Sequence, residues 1–343
     1  MMQIAGRHVL VTGGAGFIGS NLVDHLVANG ARVRILDNLS TGTRANIEGA
    51  LAGGAELQVG DVRSAADVAA AIDEVDIVMH LACSCLRVSL QRPRASHDVN
   101  AGGTLTVLEA AARAGVARFL YCSSSEAYGT AQMDVMAEDH LTQPTTVYGA
   151  SKLAGEWYTL AYWRVHGLPV VIVRPFNTYG YREHVSGPSG EVIPKMTLRA
   201  LAGQRPVILG DGRQTRDFTF VTDTVRGLLS AVECDALVGE IVNIASGSEV
   251  SIERVAELVC RACGSDCAPL YAPARPADVR RHRADVRKAR GRLGFEPTVA
   301  IEEGIERYVA WFKEHHLDEI DRLLAHDKQR NWELAAPAGA RGG

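Results

Sequence analysis

Up to about residue 175, short apolar runs alternate with stretches of helical spacing. Val9–Val11, Val33–Leu36, Asp76–Leu81, Ala117–Cys122 and Pro169–Val173 read as strands, and Ala95–Gly115 and Val147–Gly167 as amphipathic helices. That alternation predicts a parallel sheet with helices on both faces, a doubly wound α/β (Rossmann) fold. From Tyr179 onward glycine and proline become denser and the strands shorter. The expected organisation is a sheet domain of residues 1–179 plus about 218–239. Val221–Val232 returns to it as a helix, and a smaller mixed C-terminal lobe covers about 180–217 and 240–315. The tail 333–343 has nothing to bury and is expected to be disordered. No internal repeat is visible.

Composition narrows the class. The 343 residues are 47% hydrophobic and 22% charged, with a net charge of −4, which leaves no overall basic footprint for nucleic acid. No apolar run approaches the length of a membrane span. Seven cysteines and no signal-like N-terminus lead us to expect reduced thiols and a cytoplasmic protein. Cys260, Cys263 and Cys267 lack a fourth ligand nearby, so no metal site is expected. The seven Lys or Arg residues within Asp278–Arg292 read as a solvated helix face.

The first chemistry follows the first strand. V-L-V-T-G-G-A-G-F-I-G, residues 9–19, places Gly13, Gly16 and Gly19 at a strand-to-helix turn. The first glycine permits the turn, the second lets backbone approach a pyrophosphate, and the third lets helix and strand pack closely. Phosphates then meet amide groups at the positive end of a helix dipole. Asp37 ends the second strand, 18 residues past Gly19. A carboxylate there accepts ribose hydroxyls and repels a 2′-phosphate, so the dinucleotide expected is NAD.

Ligands in such sheets collect at the carboxyl ends of the strands. Cys122-Ser123-Ser124-Ser125-Glu126 follows one strand, and Tyr148-Gly-Ala-Ser-Lys152 opens the next helix. Tyr148 and Lys152, four apart, share a helix face. A free tyrosine, with a pKa of about 10, is a poor base at neutral pH. A nearby ammonium and a positive nicotinamide ring would both favour phenolate. A hydroxyl from the preceding strand end completes a proton path.

With these motifs the chain resembles the extended short-chain dehydrogenase/reductase family, in particular its nucleotide-sugar epimerases, dehydratases and decarboxylases. The resemblance spans residues 6–313. It implies Tyr148 as base, Lys152 as its tuning partner and ribose anchor, and Ser124 as hydroxyl partner. It implies a coenzyme site of Gly13, Gly16, Phe17, Ile18, Gly19, Asp37, Asn38, Asp61, Val62, Leu81, Ala82, Asn100, Tyr148 and Lys152. Asn177, Arg216, Arg275 and Asp278 match positions that hold a nucleoside diphosphate, with Ser124 facing the sugar. An ion pair of Arg216 with Asp217 or Asp223 is the plainer alternative. A homodimer through Ala95–Gly115 and Val147–Gly167 is also implied.

The reaction expected is 4-epimerisation through a transient 4-keto sugar. Glu126 keeps a second reading open, because a hydroxyl-Ser-Glu run resembles GDP-mannose dehydratases and UDP-glucuronate decarboxylases. There Glu126 would act after the same C4 oxidation, the alternative being a polar support at a strand end. Intact Ser124, Tyr148 and Lys152 speak against a non-catalytic NAD-binding protein. Cys83 and Cys85 stand where relatives carry non-cysteine residues, and are read as small packing residues rather than contacts to an unusual sugar.

Overall fold

The computed structural model describes residues 2–333. Its centre is a seven-stranded, wholly parallel sheet with the order β11-β6-β5-β4-β1-β2-β3. The strands are β1 (His8–Thr12), β2 (Arg32–Asp37), β3 (Glu56–Val59), β4 (Ile77–His80), β5 (Arg118–Cys122), β6 (Val170–Pro175) and β11 (Ile241–Ile244). β1, β4, β5 and β6 are buried along their whole length, which is why they read as unbroken apolar runs. Helices α1 (Phe17–Ala28), α2 (Ala65–Ala71), α3 (Leu86–Gln91), α4 (Thr104–Ala114), α5 (Val147–His166) and α7 (Val221–Glu233) belong to this unit. One core lies on each face of the sheet, around Val11, Leu22 and Leu228 on one side and Leu10, Val107 and Phe119 on the other.

The smaller unit contains α6 (Val192–Leu201), α8 (Ile252–Cys263), α10 (Ile301–His316) and α11 (Ile320–Ala325) around a third core that includes Tyr179, Phe220 and Phe312. Three short two-stranded ladders pair β7 (Asn177–Tyr179) with β10 (Phe218–Phe220), β9 (Thr215–Arg216) with β12 (Val250–Ser251), and β8 (Val207–Leu209) with β13 (Leu270–Ala272). Two of these ladders are parallel and one antiparallel.

Two expectations change. The boundary at residue 240 moves, because β11 pairs with β6 as the edge of the main sheet, and α9 (Arg287–Leu293) puts Ala289 into that sheet's core. The helix expected over Ala95–Gly115 is three pieces, Pro93–His97, a wide-turned stretch Asp98–Gly103, and α4. Widened turns of this kind are frequent at functional sites, and this one lies beside the cleft described below. The tail expected at 333–343 lies outside the described residues apart from Glu333. Among the described residues no helix is long and apolar enough to cross a membrane.

Candidate active site

The carboxyl ends of β1, β4, β5 and β6 open into one cleft of about 860 Å³. A cavity of about 150 Å³ continues it into the smaller unit, and the two share Arg87, Asn177, Glu191, Arg216 and Arg275.

At the β1 end the backbone is shaped for a dinucleotide. Gly13 has φ +71°, and a Cβ there would lie 2.8 Å from the Ala82 backbone. A Cβ on Gly19 would lie 2.8 Å from the Gly14 Cα, so any side chain would push α1 off the turn. No side chain caps α1 and its first turn carries no acid, which leaves its amide groups for an anion. Asp37 accepts from the Ala15 amide at 2.9 Å and the Leu39 amide at 2.8 Å, one on each carboxylate oxygen. Each oxygen keeps a lone pair for a ribose hydroxyl. Beyond it, Asp61 is gripped by Arg63 at 2.9 and 2.7 Å and by Asn38 at 2.8 Å. The Arg63 guanidinium holds the Asp61 carboxyl well below the usual carboxylate range. Phe17, Ile18, Val62, Leu81 and Ala82 line the same part of the cleft. The residues present therefore fit NAD.

Asn100 is placed elsewhere. It is 1% exposed, and its amide brackets Ser84 (2.7 and 3.0 Å), Ser96 (3.3 Å) and Ser151 (3.1 Å). It holds the loop after β4 against α5 and is not part of the cleft wall. The nearby His80 is likewise a bracket, joining Thr12 (2.6 Å) to Thr104 (3.0 Å). Burial lowers its pKa to about 3, so it is neutral.

The residues expected to carry proton transfer sit where β5 ends and α5 begins. Thr146 caps α5 by accepting from the Gly149 amide at 3.1 Å, which sets Tyr148 in the first turn. Ser124, Glu126, Tyr148 and Lys152 all line the cleft. Ser124 hydrogen-bonds Tyr148 and accepts from the Glu126 amide at 3.2 Å. Lys152, 2% exposed, donates to the Cys122 carbonyl at 2.5 Å and lies 4.5 Å from the Tyr121 ring centre. It also hydrogen-bonds the Tyr121 hydroxyl, which leaves one ammonium proton for a ribose.

The expected lowering of the Tyr148 pKa is not a property of the chain alone. Burial pushes Tyr148 well above its ordinary value, the thiol of Cys83 adds to that, and the Ser124 hydrogen bond only partly opposes it. Bringing the phenol to working range needs further positive charge beside it.

Glu126 is 9% exposed and its Oε2 has no hydrogen-bond partner. Burial raises its pKa, with Arg216 and Arg275 pulling the other way. Those two arginines converge on Asp278, Arg216 at 2.8 Å and Arg275 at 2.5 Å. Asp217 and Asp223, the alternatives read from the sequence, are engaged elsewhere. Asp217 accepts from Ser246, Gly247 and Ala284, and Asp223 from Arg226, Thr298 and Val299. Asn177 lies at the junction of the cleft and the cavity, whereas Asp278 lines the cavity only.

Cys83 and Cys85 both line the cleft, Cys83 with an exposed side chain and Cys85 half-buried with its thiol against the Pro188 carbonyl and the Ser189 hydroxyl. The loop after β4 is irregular, so nothing in its spacing says which side chains turn inward.

Two further pairs escape sequence reading. Arg87 ion-pairs with Glu191 and donates to the carbonyls of Pro188 (2.9 Å) and Ser189 (3.0 Å), tying α3 to the smaller unit. Glu156 accepts from Arg174 at 2.8 and 2.6 Å and from Ser123 at 2.5 Å. That buried triad joins β5, β6 and α5, and so fixes Tyr148 against Ser124. A signal for Glu156 existed, since Tyr148, Lys152 and Glu156 recur every four residues on one face.

Comparison with known proteins agrees with this geometry. The family model for the NAD dependent epimerase/dehydratase family matches residues 9–245. A putative UDP-glucose 4-epimerase of Methanocaldococcus jannaschii is 36% identical over 90% of this chain and 99% of its own. UDP-glucuronic acid decarboxylase 1 of Danio rerio is 34% identical, covering 98% of this chain and 77% of that one. The crystal structure of UDP-glucose 4-epimerase with UDP-glucose from Thermotoga maritima superposes with a TM-score of 0.85 at 33% identity, over 90% of this chain and 99% of that one. The glycine turn, the Asp37 strand end and the matched length lead to one conclusion: this chain belongs to the NAD-dependent epimerase/dehydratase family.

Proposed function

We propose that the protein is an NAD-dependent 4-epimerase of nucleoside-diphosphate sugars. What supports this most is the convergence of Ser124, Tyr148 and Lys152 on a cleft that has a dinucleotide cradle at one end and paired arginines at the other. Tyr148 removes the proton of the sugar 4-hydroxyl, with Ser124 holding the hydroxyl in line. Lys152 anchors the coenzyme ribose and adds positive charge beside the phenol. NAD held on the Gly13–Gly19 turn and by Asp37 would supply reversible hydride chemistry at C4, through which that carbon would be inverted. Tyr148 gives its proton back when the hydroxyl re-forms. Arg216 and Arg275 grip the diphosphate, with Asp278 holding the two guanidinium groups together in its absence. The relatives compared above are named for uridine diphosphate sugars, which therefore come first in any substrate panel.

A second reading rests on Glu126. A buried carboxyl with an unpartnered oxygen beside the sugar end suits proton removal at C5 with loss of water from C6, or proton delivery to C5 after a C6 carboxylate has left as carbon dioxide. Turnover in D2O followed by NMR separates the two. Epimerisation returns the same hydride, so the product carries no carbon-bound deuterium. Elimination or decarboxylation leaves deuterium on the sugar and releases water or carbon dioxide, and that result replaces the epimerase reading.

Our reading extends to a homodimer through α4 and α5. Leu105, Trp157 and Val165 are exposed on these helices by 37%, 57% and 74%, more apolar surface than a solvent-facing helix pair needs. Sedimentation at micromolar concentration tests it, and a monomer refutes it.

A further inference from the structure

The cavity that extends the cleft into the smaller unit is closed by the segment that follows α11. Leu323 buries α11 in the third core, and the chain then turns back across the cavity mouth. Asp327 has a side chain only 3% exposed and sits 3.1 Å from both Lys195 and Arg199 of α6. Lys195 also donates to the carbonyl of Lys328. Asn331 donates to the carbonyls of Gly187 and Gly190 at 3.1 Å each, and its own carbonyl accepts from Gln91 at 2.6 Å. A polar segment fastened at three points is a wall.

Position says what the wall faces. The cavity joins the cleft at Asn177, Arg216 and Arg275, and Tyr148 lies on the cleft side of that junction. If the arginines hold a diphosphate and Tyr148 meets the sugar, the group in the cavity is the one on the other end of the diphosphate, a nucleoside. The lining suits a planar heterocycle. Trp332, 7% exposed, and Phe218 supply aromatic surface, and Gln329 adds an amide with both donor and acceptor. Asp327 neutralises the two cations of α6, which would otherwise attract any phosphate regardless of base.

We infer that Asp327–Trp332 is the nucleoside wall of the substrate site and sets which nucleobase is accepted. The inference rests on the nucleotide-sugar reading above. Calorimetry on the full chain with NAD, using UDP, dTDP, CDP, GDP and ADP, tests it against Trp332→Ala, Gln329→Ala and Asp327→Asn. One nucleotide is preferred by the full chain. Trp332→Ala weakens that one about tenfold, the scale of losing one aromatic–base contact. Gln329→Ala, a change at an exposed side chain that cannot unfold the protein, narrows the gap between nucleotides. Asp327→Asn raises affinity for the poorly bound ones. Unchanged affinities and unchanged order in Trp332→Ala and Gln329→Ala overturn the inference while the nucleotide-sugar reading stands. Failure of the full chain to bind any of the five brings down that reading and the wall with it.

Discussion

Replacing Glu156 with glutamine isolates the charge that seats α5 on the sheet. The Glu156 and Arg174 side chains are 2% and 3% exposed, so solvent screens neither. Glutamine keeps the shape and one acceptor but leaves a buried guanidinium without its counter-charge. Breaking such a pair from one side costs about 3–5 kcal/mol, while replacing both charges by apolar groups of similar volume is close to neutral. The expected loss in urea unfolding of the coenzyme-free protein is therefore about 4 kcal/mol for Glu156→Gln. That is a large fraction of the roughly 5–15 kcal/mol available to a folded domain. The double change Glu156→Leu, Arg174→Met should recover most of it, although Arg174 also donates to the Glu138 carbonyl at 3.1 Å and lies over Tyr128. A loss under about 1 kcal/mol for Glu156→Gln, or a double variant no better than the single, would refute the reasoning.

Three more expectations follow from the structure. Iodoacetamide should inactivate the enzyme through Cys83, which is exposed on the cleft wall, and only slowly at neutral pH, because desolvation of the sulfur inside the cleft raises its thiol above the ordinary range. Inactivation is then faster at pH 9 than at pH 7, a nucleotide sugar slows it, and Cys83→Ser abolishes it; a serine variant still inactivated at the same rate sinks the assignment. Glu126→Gln should keep most epimerase turnover, whereas loss of about a hundredfold or more in kcat marks Glu126 as an acid or base of the reaction. His282, buried against the Gly129 carbonyl at 2.9 Å, has its pKa lowered by burial to about 3. The unfolded chain binds a proton there below pH 6.5 and the folded chain does not, so its stabilising contribution is complete above 6.5 and lost as pH falls. Relative to His282→Gln, wild-type unfolding free energy should drop by about 1.6 kcal/mol in all between pH 6.5 and 5, the slope approaching about 1.4 kcal/mol per pH unit at the acid end. Parallel pH profiles would show that the histidine titrates normally.

The sheet and the coenzyme turn were legible because buried parallel strands need unbroken apolar runs and a tight strand-to-helix turn needs glycine. β3 and β11 were not, since Glu56–Val59 has no buried position and Ile241–Ile244 is interrupted by the polar Asn243, so each takes its place by pairing with β2 and β6. Tyr148 and Lys152 could be read from local spacing on one helix. The Arg216–Asp278–Arg275 junction could not, because its members are brought together across 62 residues by tertiary folding. Asn100 was legible only as a motif position, while its four hydrogen bonds, which hold the loop after β4, are tertiary and leave no local signal. The segment Asp327–Trp332 gives no hydrophobic signal before Trp332, since ion pairs and carbonyl contacts hold most of it in place.

The central claim is that the phenol of Tyr148 moves the proton of the sugar hydroxyl. Its most direct measurement is turnover of a UDP-sugar by Tyr148→Phe, alongside the amount of NAD that co-purifies with the variant. The account predicts wild-type coenzyme content with turnover reduced by at least about a hundredfold, the lower range for losing a positioned acid or base. Turnover near the wild-type rate with that ring lacking its hydroxyl would contradict it.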